Sequence, residues 1–159
     1  VVARPLQRRR QREGRARPVP HRRVVTVGGD GVTRRMSCSM TVDAVRDRTK
    51  TVTRRHVDTW ATLNPGDRLT LIEKGMGLAK GERQVVLDEV TIANVDVISL
   101  YGGMTEEECA REGFPEMEPD DFVKFWLDSH LVPLFATQNE AMAYEVRRIE
   151  WVYDEAATA

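Results

Sequence analysis

Two cysteines and three histidines in 159 residues are too few, and too scattered, for a disulfide framework or a zinc-ligand spacing. Cys38 and Cys109 therefore read as reduced thiols, and the sequence calls for neither a metal nor another cofactor. No apolar run approaches the roughly 20 residues that a bilayer demands, so a membrane-spanning helix is not expected. The N-terminus is basic but no apolar stretch follows it, which argues against a secretory signal and for a cytoplasmic location. No internal repeat is visible. Together these absences leave one domain with a conventional core, for which 41% hydrophobic residues suffice.

Charge, by contrast, is plentiful and unevenly spread. Residues 1–35 hold eleven arginines against Glu13 and Asp30, so that segment carries +9 and the remainder −10 of a total of −1. The first 35 residues read as a disordered basic tail, with Arg8-Arg9-Arg10, Pro18, Pro20 and Gly28-Gly29 and little to bury. Such a tail suits a nucleic-acid-binding arm, a targeting segment, or upstream sequence translated from too early a start. Its Arg, Gly, Pro and Val bias favours the last, with Met36 opening the patterned region. An acidic body of residues 36–159 is poorly suited to long duplexes unless its cations gather in one place.

From Met36 the pattern is that of an α+β domain. Ser37–Met40 reads as a short strand, and Thr41 as the N-cap of a helix with Val42 and Val45 on one face. Lys50–Arg55 reads as a strand, and Asn64-Pro65-Gly66-Asp67 as a turn into a half-buried strand carrying Leu69 and Leu71. Glycines at 75, 77 and 81 mark a loop or long hairpin tip. The Val- and Ile-rich run 85–100 predicts one long bent strand or two. Thr105 and Glu108 form a capping box for a helix that Gly113 should end, and Pro119 starts another with Phe122, Phe125 and Trp126 as a buried stripe. In the last strand, Tyr144 to Tyr153, Val146 is out of phase with Ile149, Trp151 and Tyr153, which predicts a bulge near Arg147-Arg148.

The candidate site is the run Lys50-Thr51-Val52-Thr53-Arg54-Arg55. It packs one lysine, two hydroxyls and two guanidiniums around a single apolar side chain, and arginine forks grip phosphate or carbonyl oxygens in two-point fashion. Trp60 follows closely enough to stack on a base. His56 reads as structural or exposed, Cys109 as a buried filler, His130 as a helix C-cap, and Glu73 with Lys74 as a pair across the cleft mouth.

That run after a short helix, the Pro65-Gly66-Asp67 turn into a strand, Glu112-Gly113-Phe114 closing a helix, and Glu73-Lys74-Gly75-Met76-Gly77-Leu78 together resemble the ASCH domain family, bacterial and bacteriophage-borne members above all. The resemblance covers about Met36 to Asp154 and implies a small PUA-like β-barrel with flanking helices and a cleft for RNA or a modified base. The family's lysine, Glu or Thr three positions on, and arginine two further fall on Lys50, Thr53 and Arg55. Its glycine two residues before the lysine is Arg48 here. One enzymatic branch deacylates N4-acetylcytidine with the lysine, the threonine and a helix-borne glutamate, a role that falls to Glu112.

Three functions follow as expectations. The first is an RNA- or nucleotide-binding domain whose ligand touches Lys50, Thr53, Arg54, Arg55, Trp60 and Glu112. The second is an amidohydrolase in which Thr53 attacks, Lys50 is the base and Glu112 orients. A protein-interaction module is the third, with Lys50 and Arg55 splayed on a surface without a pocket. Residues three apart on a regular strand face opposite ways, so Lys50 and Thr53 converge only if Lys50 precedes the strand or a bulge separates them.

Overall fold

The computed structural model describes residues 33–135 and 137–155. The expectations for the basic tail fall on residues 1–32 and so lie outside the described residues, but its last two arginines do not. Arg34 and Arg35 open strand β1, Arg34–Ser37, and pair with Leu69 and Thr70. Strand structure is thus already present two residues before Met36. The strand expected at Ser37–Met40 is displaced for the same reason: the chain turns at Cys38, whose carbonyl accepts from the Thr41 amide at 3.0 Å.

Five strands curl into a mixed half-barrel in the order β1-β3-β4-β5-β2. They are β1, β2 Val52–His56, β3 Arg68–Ile72, β4 Val86–Ser99 and β5 Glu145–Tyr153. Only β1 and β3 pair in parallel; β3–β4, β4–β5 and β5–β2 are antiparallel. Because β1 and β2 end the order without pairing, the barrel has a seam between them. Run 85–100 is one strand, bent where the register with β5 shifts between Ile92 and Asn94.

Four helices accompany the sheet: α1 Val42–Arg46, α2 Glu106–Glu112, α3 Pro119–Ser129 and α4 Gln138–Met142. Thr41 precedes α1 without a side-chain cap bond. Thr105 caps α2 by accepting from the Glu108 amide, while the Glu108 carboxylate is drawn away to arginines, so only half of the expected box forms. Gly113 ends α2 at φ 99°, and an added Cβ would stand 2.9 Å from Thr41 Cγ2. Glycine is required there twice over, by backbone and by space.

The sheet separates two cores. Inside the curl, Met36, Leu69, Leu71, Val90, Ile92, Ile149 and Trp151 pack together; outside, Leu100, Cys109, Phe122, Val123, Trp126 and Val146 form a second cluster under the helices. This explains Val146. It is out of phase because it belongs to the outer core, and β5 needs no bulge: its register with β2 runs unbroken from Val52↔Glu150 to His56↔Val146. Among the described residues no helix is long and apolar enough to cross a membrane.

Candidate functional site

The seam between β1 and β2 holds a cavity of about 230 Å³. Ser37 and Cys38 from the end of β1, Lys50, Thr53 and Arg55 from the β2 segment, Glu112 from α2, and Phe114, Phe125, Trp126 and His130 line it. Lys50 lies before β2 begins, which removes the phase conflict: it shares the cavity with Thr53 although three residues separate them. Its carbonyl is fixed by Tyr153 Oη, which donates at 2.5 Å. Burial pushes the Tyr153 phenol up to about 12, so it stays a donor at any physiological pH.

Lys50 is 3% exposed, and its Nζ donates to the Glu112 carbonyl at 2.5 Å and to Glu112 Oε2 at 3.3 Å. The lysine therefore satisfies a free carbonyl at the C-terminal end of α2 while pairing with its last side chain. Arg55 Nη2 donates to the Ser37 carbonyl at 2.7 Å and so clasps β1 to β2 across the seam. Its Nε is buried without a partner. That guanidinium has donors to spare, in a cavity where Lys50 supplies a second cation.

Arg54 points the other way, as alternation along β2 requires. Its guanidinium donates to Glu112 Oε1 at 2.9 Å, Glu108 Oε2 at 2.7 Å and the Gly103 carbonyl at 3.2 Å. Arg54 is also among the residues that line the cavity, but its side chain is completely buried and serves as counter-ion to α2. Around it, Arg148 bonds Glu108 twice, at 2.9 and 2.8 Å, Arg111 bonds Glu108 at 3.1 Å, and both arginines reach Glu150. Burial works to raise the Glu108 carboxyl, but the hydrogen bonds from Arg148 and Arg54 hold it at about 2.

Trp60 lies elsewhere. It packs against the inner core, the Arg34 guanidinium covers its ring at 4.5 Å, and it is not among the residues that line the cavity. The aromatic wall comes instead from α3, whose stripe at 122, 125 and 126 was expected only to fill a core. Trp126 Nε1 donates to the Arg54 carbonyl at 3.2 Å, and its ring stacks on His130 at 3.9 Å and 12°. His130 caps α3 as expected, with Nδ1 2.8 Å from the Trp126 carbonyl, yet it also lines the cavity. The i, i+4 spacing of Trp126 and His130 was the sequence signal for that stack. His56 meets both rings edge-on, at 5.5 and 5.1 Å.

Cys38 is buried beside the cations, and desolvation pushes its thiol up despite Lys50 and Arg55, so it is no nucleophile. Lys74 pairs with Glu82 at 3.3 Å rather than forming a bridge with Glu73. No group of three or more His, Cys, Asp and Glu among the described residues is arranged to hold a metal ion.

No known family model matches the chain, and no curated protein does. Solved structures do resemble its backbone. Hypothetical protein PH0355 is 18% identical with a TM-score of 0.49, over 77% of this chain and 100% of that one. Protein EF3133 from Enterococcus faecalis is 11% identical with a TM-score of 0.48, over 73% and 68%. An ASCH domain from Lactobacillus crispatus is similar over 72% of this chain and 70% of its own, at 12% identity and a TM-score of 0.45.

Proposed function

We propose that the seam cavity is a binding site for a nucleobase, presented either in a nucleoside or nucleotide or at an unstacked position of an RNA. The observation that carries this reading is the convergence of Lys50, Thr53 and Arg55 on one cavity whose opposite wall is aromatic. Cations and a hydroxyl can engage carbonyl or phosphate oxygens, and flat rings favour a flat ligand. Size points the same way: about 230 Å³ lies below the roughly 300–1,000 Å³ of drug-sized pockets, and suits one base rather than a stack of them. The ASCH-like motifs in the sequence imply the same class of ligand.

Binding is favoured over hydrolysis by the placement of Lys50. A lysine that takes a proton from Thr53 needs a free lone pair, whereas this ammonium donates to two oxygens of Glu112. The interaction-module reading requires Lys50 on the surface, and it is 3% exposed within a concavity. The amidohydrolase remains the second reading, because Glu112 touches Lys50 and Thr53 shares its cavity.

The test is paired. Titration of the full chain with nucleosides and short single-stranded RNA should show saturable binding, weakened at least tenfold by Thr53→Val and Arg55→Gln. Incubation with N4-acetylcytidine should release no acetate. Acetate release that Lys50→Ala stops would overturn the binding-only conclusion in favour of the enzyme.

A further inference from the structure

The cavity is rich in donors and poor in acceptors. Lys50, Arg55 and the Thr53 hydroxyl all offer hydrogens, while the obvious acceptor, Glu112, already receives from Lys50 on one oxygen and Arg54 on the other. His130 changes this balance. Its Nδ1 lies 2.8 Å from the Trp126 carbonyl, and a carbonyl can only accept, so Nδ1 carries the hydrogen. In a neutral imidazole Nε2 then bears the lone pair. One ring face is covered by Trp126, His56 meets the ring at 76°, and Nε2 has no hydrogen-bond partner among the described residues.

The groups around His130 favour the neutral ring. Burial lowers its pKa most; the hydrogen bond to the Trp126 carbonyl and the Glu112 carboxylate on α2 oppose this, while His56 and Arg55, both on β2, lower it further, and the balance is downward. Trp126 beneath it and Tyr144, which lies 3.5 Å from His56 Nδ1, bring no charge at neutral pH.

We propose that His130 is a specificity-determining residue, accepting through Nε2 the ring N–H of a keto base while Arg55 donates to the neighbouring carbonyl. The ligand class is a base with a lactam edge, uracil or guanine, in preference to cytosine or adenine, which offer no ring N–H beside a carbonyl in their ordinary tautomers. The inference rests on reading the cavity as a nucleobase site and names the edge by which the base is read. A half-buried acceptor left without its donor lowers affinity enough to discriminate, by about tenfold.

The experiment is calorimetric titration of the full chain with two matched pairs, uridine against 3-methyluridine and guanosine against 1-methylguanosine. Each pair differs by one ring N–H and the methyl that replaces it. The expected result is a loss of about tenfold or more on methylation in at least one pair. His130→Phe keeps a flat ring over Trp126 but removes the acceptor; it should erase the preference by weakening the unmethylated ligand alone. The pH profile requires no variant: as pH falls below the ordinary imidazole range, protonation turns Nε2 into a donor and the unmethylated ligand should lose affinity while its methylated partner does not. Equal binding of both members of each pair, or a preference that survives His130→Phe or is flat with pH, overturns the assignment while leaving the nucleobase reading intact. Failure of every nucleoside to bind overturns both.

Discussion

Arg54 and Arg55 are neighbours in sequence and opposites in surroundings. The first lies on the helix side of β2, with carboxylates of Glu108 and Glu112 on its two terminal nitrogens. The second lies on the cavity side, with a single backbone carbonyl for company. The cations of the helix side are matched by the carboxylates of Glu108, Glu112 and Glu150, so that layer fastens α2 to the sheet. Those of the cavity side are under-matched. A cluster of arginines therefore says little until its carboxylate partners are counted: Arg54 has two, and Arg55 bonds only a backbone carbonyl.

The sharpest way to break this comparison is to remove each arginine in turn. Arg54→Leu removes a fully buried guanidinium from Glu112 and Glu108, leaving them Lys50, Arg148 and Arg111, and should destabilise the fold by about 3 kcal/mol in urea unfolding. Arg55→Leu loses one hydrogen bond to Ser37 and should cost only about 1 kcal/mol while abolishing ligand binding. Equal costs for the two would end the distinction.

Gly113 tests whether the two faces depend on one joint, since the helix end it closes supplies Glu112 to both Lys50 and Arg54. Gly113→Ala meets a left-handed φ of 99° and Thr41 Cγ2 at 2.9 Å, and should cost about 2–4 kcal/mol from strain and overpacking combined. Thermal melting reads the loss. A variant as stable as the parent would mean that α2 can shift without cost.

A gentler probe is acid. Glu108 titrates near 2 in the folded chain against an ordinary 4.5, so its stabilising contribution is complete above 4.5 and vanishes as pH falls toward 2. Unfolding midpoints of the parent and of Glu108→Gln should therefore differ at pH 6 and converge near pH 2. A constant gap across that range would show that the carboxylate charge is not what holds the helix side together.

Much of this arrangement was legible in the sequence, and what was not has definite causes. Lys50, Thr53, Arg55 and Glu112 line one cavity, as the resemblance implies and as the three-residue spacing of Lys50 and Thr53 on a regular strand would not. The counter-ion role of Arg54 is not legible, because a sequence shows charge but not which carboxylates fold back onto it: Glu108 and Glu112 lie more than fifty residues away. The place of Trp60 outside the cavity is not legible either, because proximity along the chain is not proximity in space, and Arg34, assigned to the tail, covers it. Val146 looked like an irregularity because its partner core, built by α2 and α3, is invisible to a strand's own period. The short helix α4 carries a readable signal, Thr137 and Glu140 in a capping box, that was passed over.

The smallest expected effect concerns Arg48, which stands where the ASCH pattern has glycine. Its φ of 62° is the backbone a glycine would adopt freely, and it costs an arginine about 1–2 kcal/mol. Against that strain stand two exposed bonds to Asp88 at 2.9 and 3.2 Å and a contact over the Tyr153 ring at 5.2 Å. An exposed pair returns only about 0–1 kcal/mol, and an exposed cation–π contact about 0.5–1. The two sides nearly cancel, so Arg48→Gly should change stability by less than about 1 kcal/mol, whereas Arg48→Ala, which keeps the strain and loses the contacts, should destabilise by more than Arg48→Gly does. Ligand affinity should not move in either, because Tyr153 would still hold the Lys50 carbonyl. If Arg48→Gly instead weakened binding tenfold, the turn before Lys50, and not only the face on which Lys50 lies, would have to be counted as part of the site.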